Sequence, residues 1–148
     1  MFPDYPFTSR FHNINGLKQH YIDEGKGPVI VMVHGNPTWS FYYRNLIHTL
    51  KADFRVIAID HIGCGLSDKP QNYQYTLRQH IDNATSLVKA LGIDRFSLVL
   101  HDWGGAIGMG VAGTCPEKID KIVVMNTAAF RSDRMPLRIG LCRVPLLG

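Results

Sequence analysis

The residues with the clearest chemical potential surround Asp102, at the junction of a predicted strand and a predicted helix. Residues 96–100 form a short apolar run typical of a buried strand, and a helix is predicted to begin near Gly104. Such an abrupt turn presents a side chain beside backbone N–H donors, which is the geometry of a nucleophile elbow. A carboxylate needs no base to make it nucleophilic, so Asp102 is able to attack an alkyl carbon and form an ester.

The helix that follows Asp102 offers a second interpretation of the same residue. An Asp between a strand and a glycine-rich helix often serves only as the N-cap, where its carboxylate accepts the first free N–H groups. In both interpretations the unsatisfied N–H groups at the start of the helix favour the ionised carboxylate. The neighbouring residues must therefore decide between a cap and a nucleophile.

Alternating strand and helix signals predict where Asp102 lies in the fold. A hairpin is predicted at residues 15–16, and four apolar runs then alternate with segments of helical spacing: residues 29–33, 55–59, 96–100 and 121–126. This order predicts an α/β fold with a mostly parallel sheet and helices on both faces. Ligands in such folds bind beyond the carboxyl ends of the strands, where residues 34–38, 60–66, 102–104 and 126–129 fall.

Composition and charge exclude several classes of partner. The 148 residues suit one domain, and the net charge of +4 comes without a basic run longer than two residues, so we expect no nucleic-acid binding. Three widely spaced cysteines indicate reduced thiols in a cytoplasmic protein, with neither a disulfide framework nor a metal site. There is no signal peptide and no apolar run of about 18 residues, so membrane contact is not expected. We also expect no cofactor.

Three motifs in the expected loops carry a family resemblance. They are His-Gly-Asn-Pro-Thr at residues 34–38, Asp-His-Ile-Gly-Cys-Gly-Leu-Ser-Asp-Lys-Pro at 60–70 and His-Asp-Trp-Gly-Gly at 101–105. Together they resemble the α/β-hydrolase superfamily, and more narrowly its haloalkane dehalogenase branch. The resemblance covers the amino-terminal half of that fold. It implies that residues 1–130 are the first part of the hydrolase core and that residues 131–148 begin a truncated cap domain.

The resemblance implies specific roles around Asp102. Asp102 is the nucleophile that displaces halide from a small apolar substrate, and the Trp103 indole N–H and the Asn36 amide hold the departing halide. The backbone N–H groups of Asn36 and Trp103 form the oxyanion hole. Supporting positions are His34, Gly35, Gly104 and Asn126, and an Asn at position 126 implies that the catalytic acid follows a later strand. His101 is expected to pack away from the site, and Asp60 and Asp68 to fix loops.

The catalytic histidine of the family has no counterpart in this sequence. In α/β hydrolases the nucleophile precedes the acid and then the histidine, whereas all seven histidines here lie at or before position 101. We therefore expect a partial version of the fold that needs a missing carboxy-terminal half for turnover. The strand predicted at residues 121–126 would then be an exposed apolar edge.

Other activities fit the same motifs. The Asp elbow also serves epoxide hydrolases, and Asn36 beside Pro37 favours the dehalogenase over that branch. The β-lactone decarboxylase of long-chain olefin biosynthesis is a closer rival, because Asn-Thr-Ala-Ala-Phe at residues 126–130 and Arg-Met-Pro-Leu-Arg at 134–138 look like that group. A non-catalytic module of the same fold is the alternative from a different class.

Overall fold

The hairpin predicted at Asn15–Gly16 forms one edge of a six-stranded sheet in a computed structural model that describes residues 4–127. Asn15 and Gly16 both have positive φ angles, 50° and 90°, as a two-residue type I′ turn requires. The strands are β1 (Arg10–Ile14), β2 (Leu17–Glu24), β3 (Val29–Val33), β4 (Arg55–Ile59), β5 (Phe96–His101) and β6 (Ile119–Met125). The predicted cap segment, residues 131–148, lies outside the described residues.

The strand order is β1-β2-β4-β3-β5-β6. The β1–β2 and β2–β4 pairs are antiparallel, and β4, β3, β5 and β6 run parallel to one another. The mostly parallel α/β sheet predicted from the sequence is therefore confirmed. Because β3, β4, β5 and β6 are parallel, their carboxyl ends lie along the same edge of the sheet. The loops that follow these strands therefore meet at that edge.

Helices cover both faces of this sheet. The α-helices are α1 (Arg44–Leu50), α2 (Leu77–Ala90) and α3 (Trp103–Thr114), with 3₁₀ turns at Ser40–Tyr43 and Pro116–Lys118. One core lies between α2, α3 and the sheet and includes Leu87, Leu98 and Val111. A second core, with Met32 and Ile47, lies on the opposite face. Within residues 4–127 no helix has the length and hydropathy that crossing a bilayer requires.

The start of α2 has one of the two hydrogen bonds of a capping box. Thr76 is the N-cap, and its hydroxyl accepts the backbone N–H of Gln79 at 3.2 Å, as a capping box requires. The side chain of Gln79 does not return to Thr76 but donates to Asn83 Oδ1 at 3.0 Å. Asn83 is buried and donates in turn to the Tyr73 hydroxyl, so a side-chain network within residues 73–83 takes the place of the second capping bond.

Strand β6 lies at the free edge of the described sheet, as expected. Val123 and Val124 are 50% and 59% exposed although they belong to an apolar run. Cys64 and Cys115 are free thiols, and Cys142 lies outside the described residues.

Gly113 provides a test of how the fold is stabilised. A Cβ placed there meets nothing within 4 Å, so Gly113→Ala adds helix propensity to α3 without a clash. We expect it to raise the free energy of unfolding by about 0.5–1 kcal/mol, measured by urea denaturation. Gly108→Ala is the control, because its Cβ would lie 3.0 Å from Leu100 Cδ1 and we expect destabilisation. A lower stability for Gly113→Ala would contradict this account of α3.

Candidate active site

Asp102 occupies the turn between β5 and α3 in an unusual backbone conformation. Its φ and ψ angles are 54° and −130°, outside the regions that residues with a side chain ordinarily occupy. Such strain persists only where the surrounding structure fixes it, and it concentrates at functional sites. The Asp102 carbonyl accepts hydrogen bonds from the Gly105 N–H and the Thr127 hydroxyl, which hold the turn in place.

The Asp102 carboxylate does not cap the helix. Asp102 stands at the N-cap position of α3, but its side chain makes no capping hydrogen bond. Its Oδ1 instead accepts the backbone N–H of Asn36 at 3.0 Å, from the loop after β3. Among residues 4–127, Oδ2 accepts no hydrogen bond. The interpretation of Asp102 as a simple cap is therefore wrong, and one carboxylate oxygen receives no hydrogen bond from the described part of the chain.

The loop that supplies the Asn36 N–H is fixed by its neighbours. The Gly35 carbonyl accepts hydrogen bonds from Thr38 N, Thr38 Oγ1 and His34 Nδ1, at 3.1, 3.0 and 2.7 Å. His34 is fully buried, and its Nε2 accepts the backbone N–H of His61 at 3.1 Å. Both ring nitrogens of His34 are therefore engaged with backbone groups.

The two glycines of the predicted site allow this close approach. A Cβ on Gly35 would lie 2.6 Å from Asp102 Cγ, and a Cβ on Gly104 would lie 2.8 Å from the His34 carbonyl oxygen. Gly35 therefore leaves room for the carboxylate, and Gly104 lets α3 pack against the end of β3.

Gly35→Ala tests that close approach. The new Cβ must displace the Asp102 carboxylate from the Asn36 N–H, and a misplacement of about 1 Å commonly costs about 10² in rate. We expect any covalent modification of Asp102 to slow by that factor, measured by intact-mass spectrometry over time. Gly113→Ala, where the Cβ meets open space, is the matched control. Equal rates for the two variants would show that the fit of Gly35 against Asp102 is unimportant.

A cavity of about 480 Å³ opens beside the elbow. Asn36 and Trp103, which flank the Asp102 carboxylate in space and in sequence, both line it. Trp103 is 57% exposed, so its indole is accessible to a molecule in the cavity. The remaining lining comes from the loop after β4 and from α2 and α3, including His61, Cys64, Tyr75, Leu77, His80 and Ile107.

The other sequence-predicted residues are partly accounted for. Asn126 follows β6 with φ of 42° and is exposed, and within residues 4–127 it makes no hydrogen bond with Asp102. His101 stacks on Tyr42, with ring centroids 4.3 Å apart, and so packs away from the nucleophile as expected. Thr127 was not singled out by the sequence, because its contact with the Asp102 carbonyl depends on the parallel register of β5 and β6.

Three neighbouring histidines form a wall of uncharged rings beside the cavity. The rings of His34 and His61 lie 4.3 Å apart, and those of His61 and His80 lie 5.3 Å apart. Burial lowers the pKa of all three, and the pKa of His61 falls well below 6.5 because His34 and His80 oppose its protonation further. These rings therefore stay neutral at neutral pH.

The histidine wall predicts loss of stability in acid. Below pH 6.5 these histidines bind protons in the unfolded chain but not in the folded protein. The free energy of unfolding therefore falls as the pH drops through that value. We expect a loss of the order of 1 kcal/mol between pH 7.5 and 5, measured by urea denaturation. His80→Gln should reduce this loss, whereas His48→Gln, at an exposed position, should not. A pH-independent stability would contradict the prediction.

Comparison with known proteins places these motifs among hydrolase-fold enzymes. The family model for the alpha/beta hydrolase fold matches residues 28–141. A cis-3-alkyl-4-alkyloxetan-2-one decarboxylase of Shewanella oneidensis is 51% identical over 97% of this chain and 47% of its own length. Haloalkane dehalogenase 2 of Mycobacterium bovis is 40% identical over 90% of this chain and 47% of its own length.

Structural comparison agrees with the sequence comparison. The haloalkane dehalogenase DatA from Agrobacterium tumefaciens superposes with a TM-score of 0.84 and 30% identity, over 94% of this chain and 50% of that one. The chain spans about half the length of the curated relatives it matches.

Proposed function

The chain belongs to the α/β-hydrolase family, and within it we propose that Asp102 is a nucleophile that forms an ester with a small apolar substrate. The observation that carries this proposal is the 3.0 Å hydrogen bond from the Asn36 N–H to Asp102 Oδ1. Attack through Oδ2 turns Oδ1 into the carbonyl oxygen of the ester. An oxyanion-hole donor belongs within about 2.7–3.1 Å of that atom.

Haloalkane cleavage is the first form of this chemistry. Asp102 Oδ2 forms a bond to the sp³ carbon while the carbon–halogen bond breaks and the halide leaves with its electron pair. The exposed Trp103 indole is a donor only, which suits an anion, and the exposed Asn36 amide supplies a second donor. Both residues line the cavity beside Asp102, where the halide would leave.

Hydrolysis of that ester needs a base, and no histidine within residues 4–127, including His61 and His80 of the cavity lining, makes a hydrogen bond with Asp102. The charge of Asp102 acts on His34, but both nitrogens of that ring are engaged with backbone groups. His101 is stacked on Tyr42. We therefore propose that a haloalkane leaves a lasting alkyl ester on Asp102 in this chain.

A β-lactone is the second candidate substrate, and it is favoured by the 51% identity to the oxetanone decarboxylase. Asp102 attacks C4, the sp³ ring carbon that is bonded to the ring oxygen. The ester forms as the C4–O bond breaks, and a carboxylate is released within the same molecule. Loss of carbon dioxide then sends an electron pair into the new double bond and expels the Asp102 carboxylate. Alkene and carbon dioxide result, and no histidine base is needed to regenerate Asp102.

The two chemistries are separated by what remains on the protein. The full chain is incubated with a bromoalkane or with a cis-3-alkyl-4-alkyloxetan-2-one, and intact mass and volatile products are followed. A lasting alkyl mass increase on Asp102 supports the dehalogenase reaction, and alkene release without a lasting adduct supports the decarboxylase. A styrene oxide incubation tests the epoxide hydrolase alternative. No reaction with any of the three reagents supports the non-catalytic module.

A further inference from the structure

Three residues outside the Asp102 site form a second chain of hydrogen bonds. His20 Nδ1 lies 2.9 Å from Asp60 Oδ2, and His20 Nε2 lies 3.0 Å from the Ser9 hydroxyl oxygen. Ser9 lies just before β1, His20 lies in β2, and Asp60 directly follows β4. A serine hydroxyl, an imidazole and a carboxylate in this order are the arrangement that activates serine nucleophiles.

The direction of each hydrogen bond follows from the state of Asp60. Burial opposes its ionisation, but hydrogen bonds from His20, Ser40 and the Leu66 backbone outweigh burial and lower the pKa of Asp60. The ionised carboxylate accepts only, so His20 Nδ1 carries a proton and donates it. A ring protonated at Nδ1 alone accepts at Nε2, and in that tautomer the Ser9 O–H donates to it.

The base is held rigidly and the hydroxyl is accessible. His20 and Asp60 are both fully buried, and the His20 backbone N–H donates to Ser67 Oγ at 2.8 Å. Ser9 is exposed at the surface. A reagent in solution can therefore reach the Ser9 oxygen while the imidazole that polarises it stays oriented.

The chain also contains a natural comparison for this arrangement. His12 Nε2 lies 3.0 Å from Ser86 Oγ, the same separation as between His20 and Ser9. Within residues 4–127, no carboxylate accepts a hydrogen bond from His12. Among the described residues, Ser86 thus has a histidine neighbour but no acid to fix its tautomer, and it is also less exposed than Ser9.

We propose that Ser9 is an activated nucleophile that accepts acyl groups from activated esters, separately from the chemistry of Asp102. Ser9 Oγ forms a bond to the acyl carbon while its proton passes to His20 Nε2. The bond from that carbon to the alkoxy or aryloxy oxygen breaks, and the leaving oxygen takes the proton from His20. The products are an acyl ester on Ser9 and a free alcohol or phenol.

The test is acetylation of the full chain with p-nitrophenyl acetate, followed by peptide mapping over time. General-base assistance is worth about 10²–10⁴ in rate, so we expect Ser9 to acetylate at least about 10²-fold faster than Ser86. Ser9→Ala should remove that adduct and leave the slow labelling at Ser86. Equal rates at Ser9 and Ser86, or no acetylation of Ser9, would overturn the proposal.

A second pair of variants tests the site without disturbing the buried network. Ser9→Cys and Ser86→Cys place a thiol beside each imidazole, and alkylation by iodoacetamide is mapped at each position. We expect the thiol at position 9 to react at least about tenfold faster, because the oriented imidazole favours its thiolate. Equal reactivity of the two thiols would also count against the proposal.

Discussion

Replacing Asp102 with Asn is expected to abolish covalent modification of the chain by a bromoalkane. The amide is a far weaker nucleophile, and removal of a catalytic nucleophile costs about 10⁶ in rate in a well-studied protease. The variant keeps nearly the same shape, so the elbow and the hydrogen bonds to the Asp102 carbonyl should persist. Intact-mass spectrometry after incubation with the bromoalkane measures the result.

The control for Asp102→Asn is a carboxylate elsewhere on the surface. Asp82→Asn removes an exposed acid that pairs with Arg78 at 3.0 Å on α2, and we expect it to leave the modification unchanged. Circular dichroism of both variants establishes that they are folded. An alkyl adduct of undiminished yield in Asp102→Asn would place the reactive group elsewhere and end the proposal for Asp102.

Local sequence patterns were sufficient to predict the sheet and its elbow. The apolar run that became β5 and the turn residues Asn15–Gly16 act through neighbours in the chain, so their structures follow from sequence order. The same holds for Thr76, whose hydroxyl caps α2 within three residues. Where a second nearby partner competes, as Asn83 does for the Gln79 side chain from four residues further along α2, the capping pattern gives only part of the answer.

The candidate site shows where sequence reasoning stops. Whether Asp102 caps α3 or faces a substrate depends on the Asn36 N–H, which lies 66 residues away in the chain. The contact of Thr127 with the elbow and the approach of Ser9 to His20 likewise depend on strand register and on packing of the amino-terminal segment. Such contacts leave no periodic trace in the sequence, because each involves one residue on each side.

The two proposed substrates differ in whether a free anion leaves the site, and a replacement of Trp103 can therefore distinguish them. A haloalkane releases a free halide that needs donors in the cavity, whereas an opened β-lactone keeps its new carboxylate attached. Trp103 is exposed and lines that cavity, and under the proposed function its indole N–H donates to the departing anion. An interaction made only as the halide leaves stabilises the transition state more than the bound substrate.

Trp103→Phe is therefore expected to slow alkylation by a bromoalkane about 10²–10³-fold, the loss that follows removal of one such donor. The phenyl ring keeps an apolar surface in the cavity, so the change is chiefly the loss of the indole N–H. The rate is measured as the appearance of the alkyl adduct by intact mass. We expect a smaller effect on opening of the β-lactone, measured as alkene release.

Tyr75→Phe is the matched control for Trp103→Phe. Tyr75 lines the same cavity, but its hydroxyl donates to the Pro70 carbonyl at 2.8 Å, so we expect its loss to leave the alkylation rate within about twofold of the parent. An equal loss of rate in both variants would mean that the cavity tolerates no aromatic substitution. The indole N–H would then have no special part in accepting the halide, because any change to the lining would act in the same way.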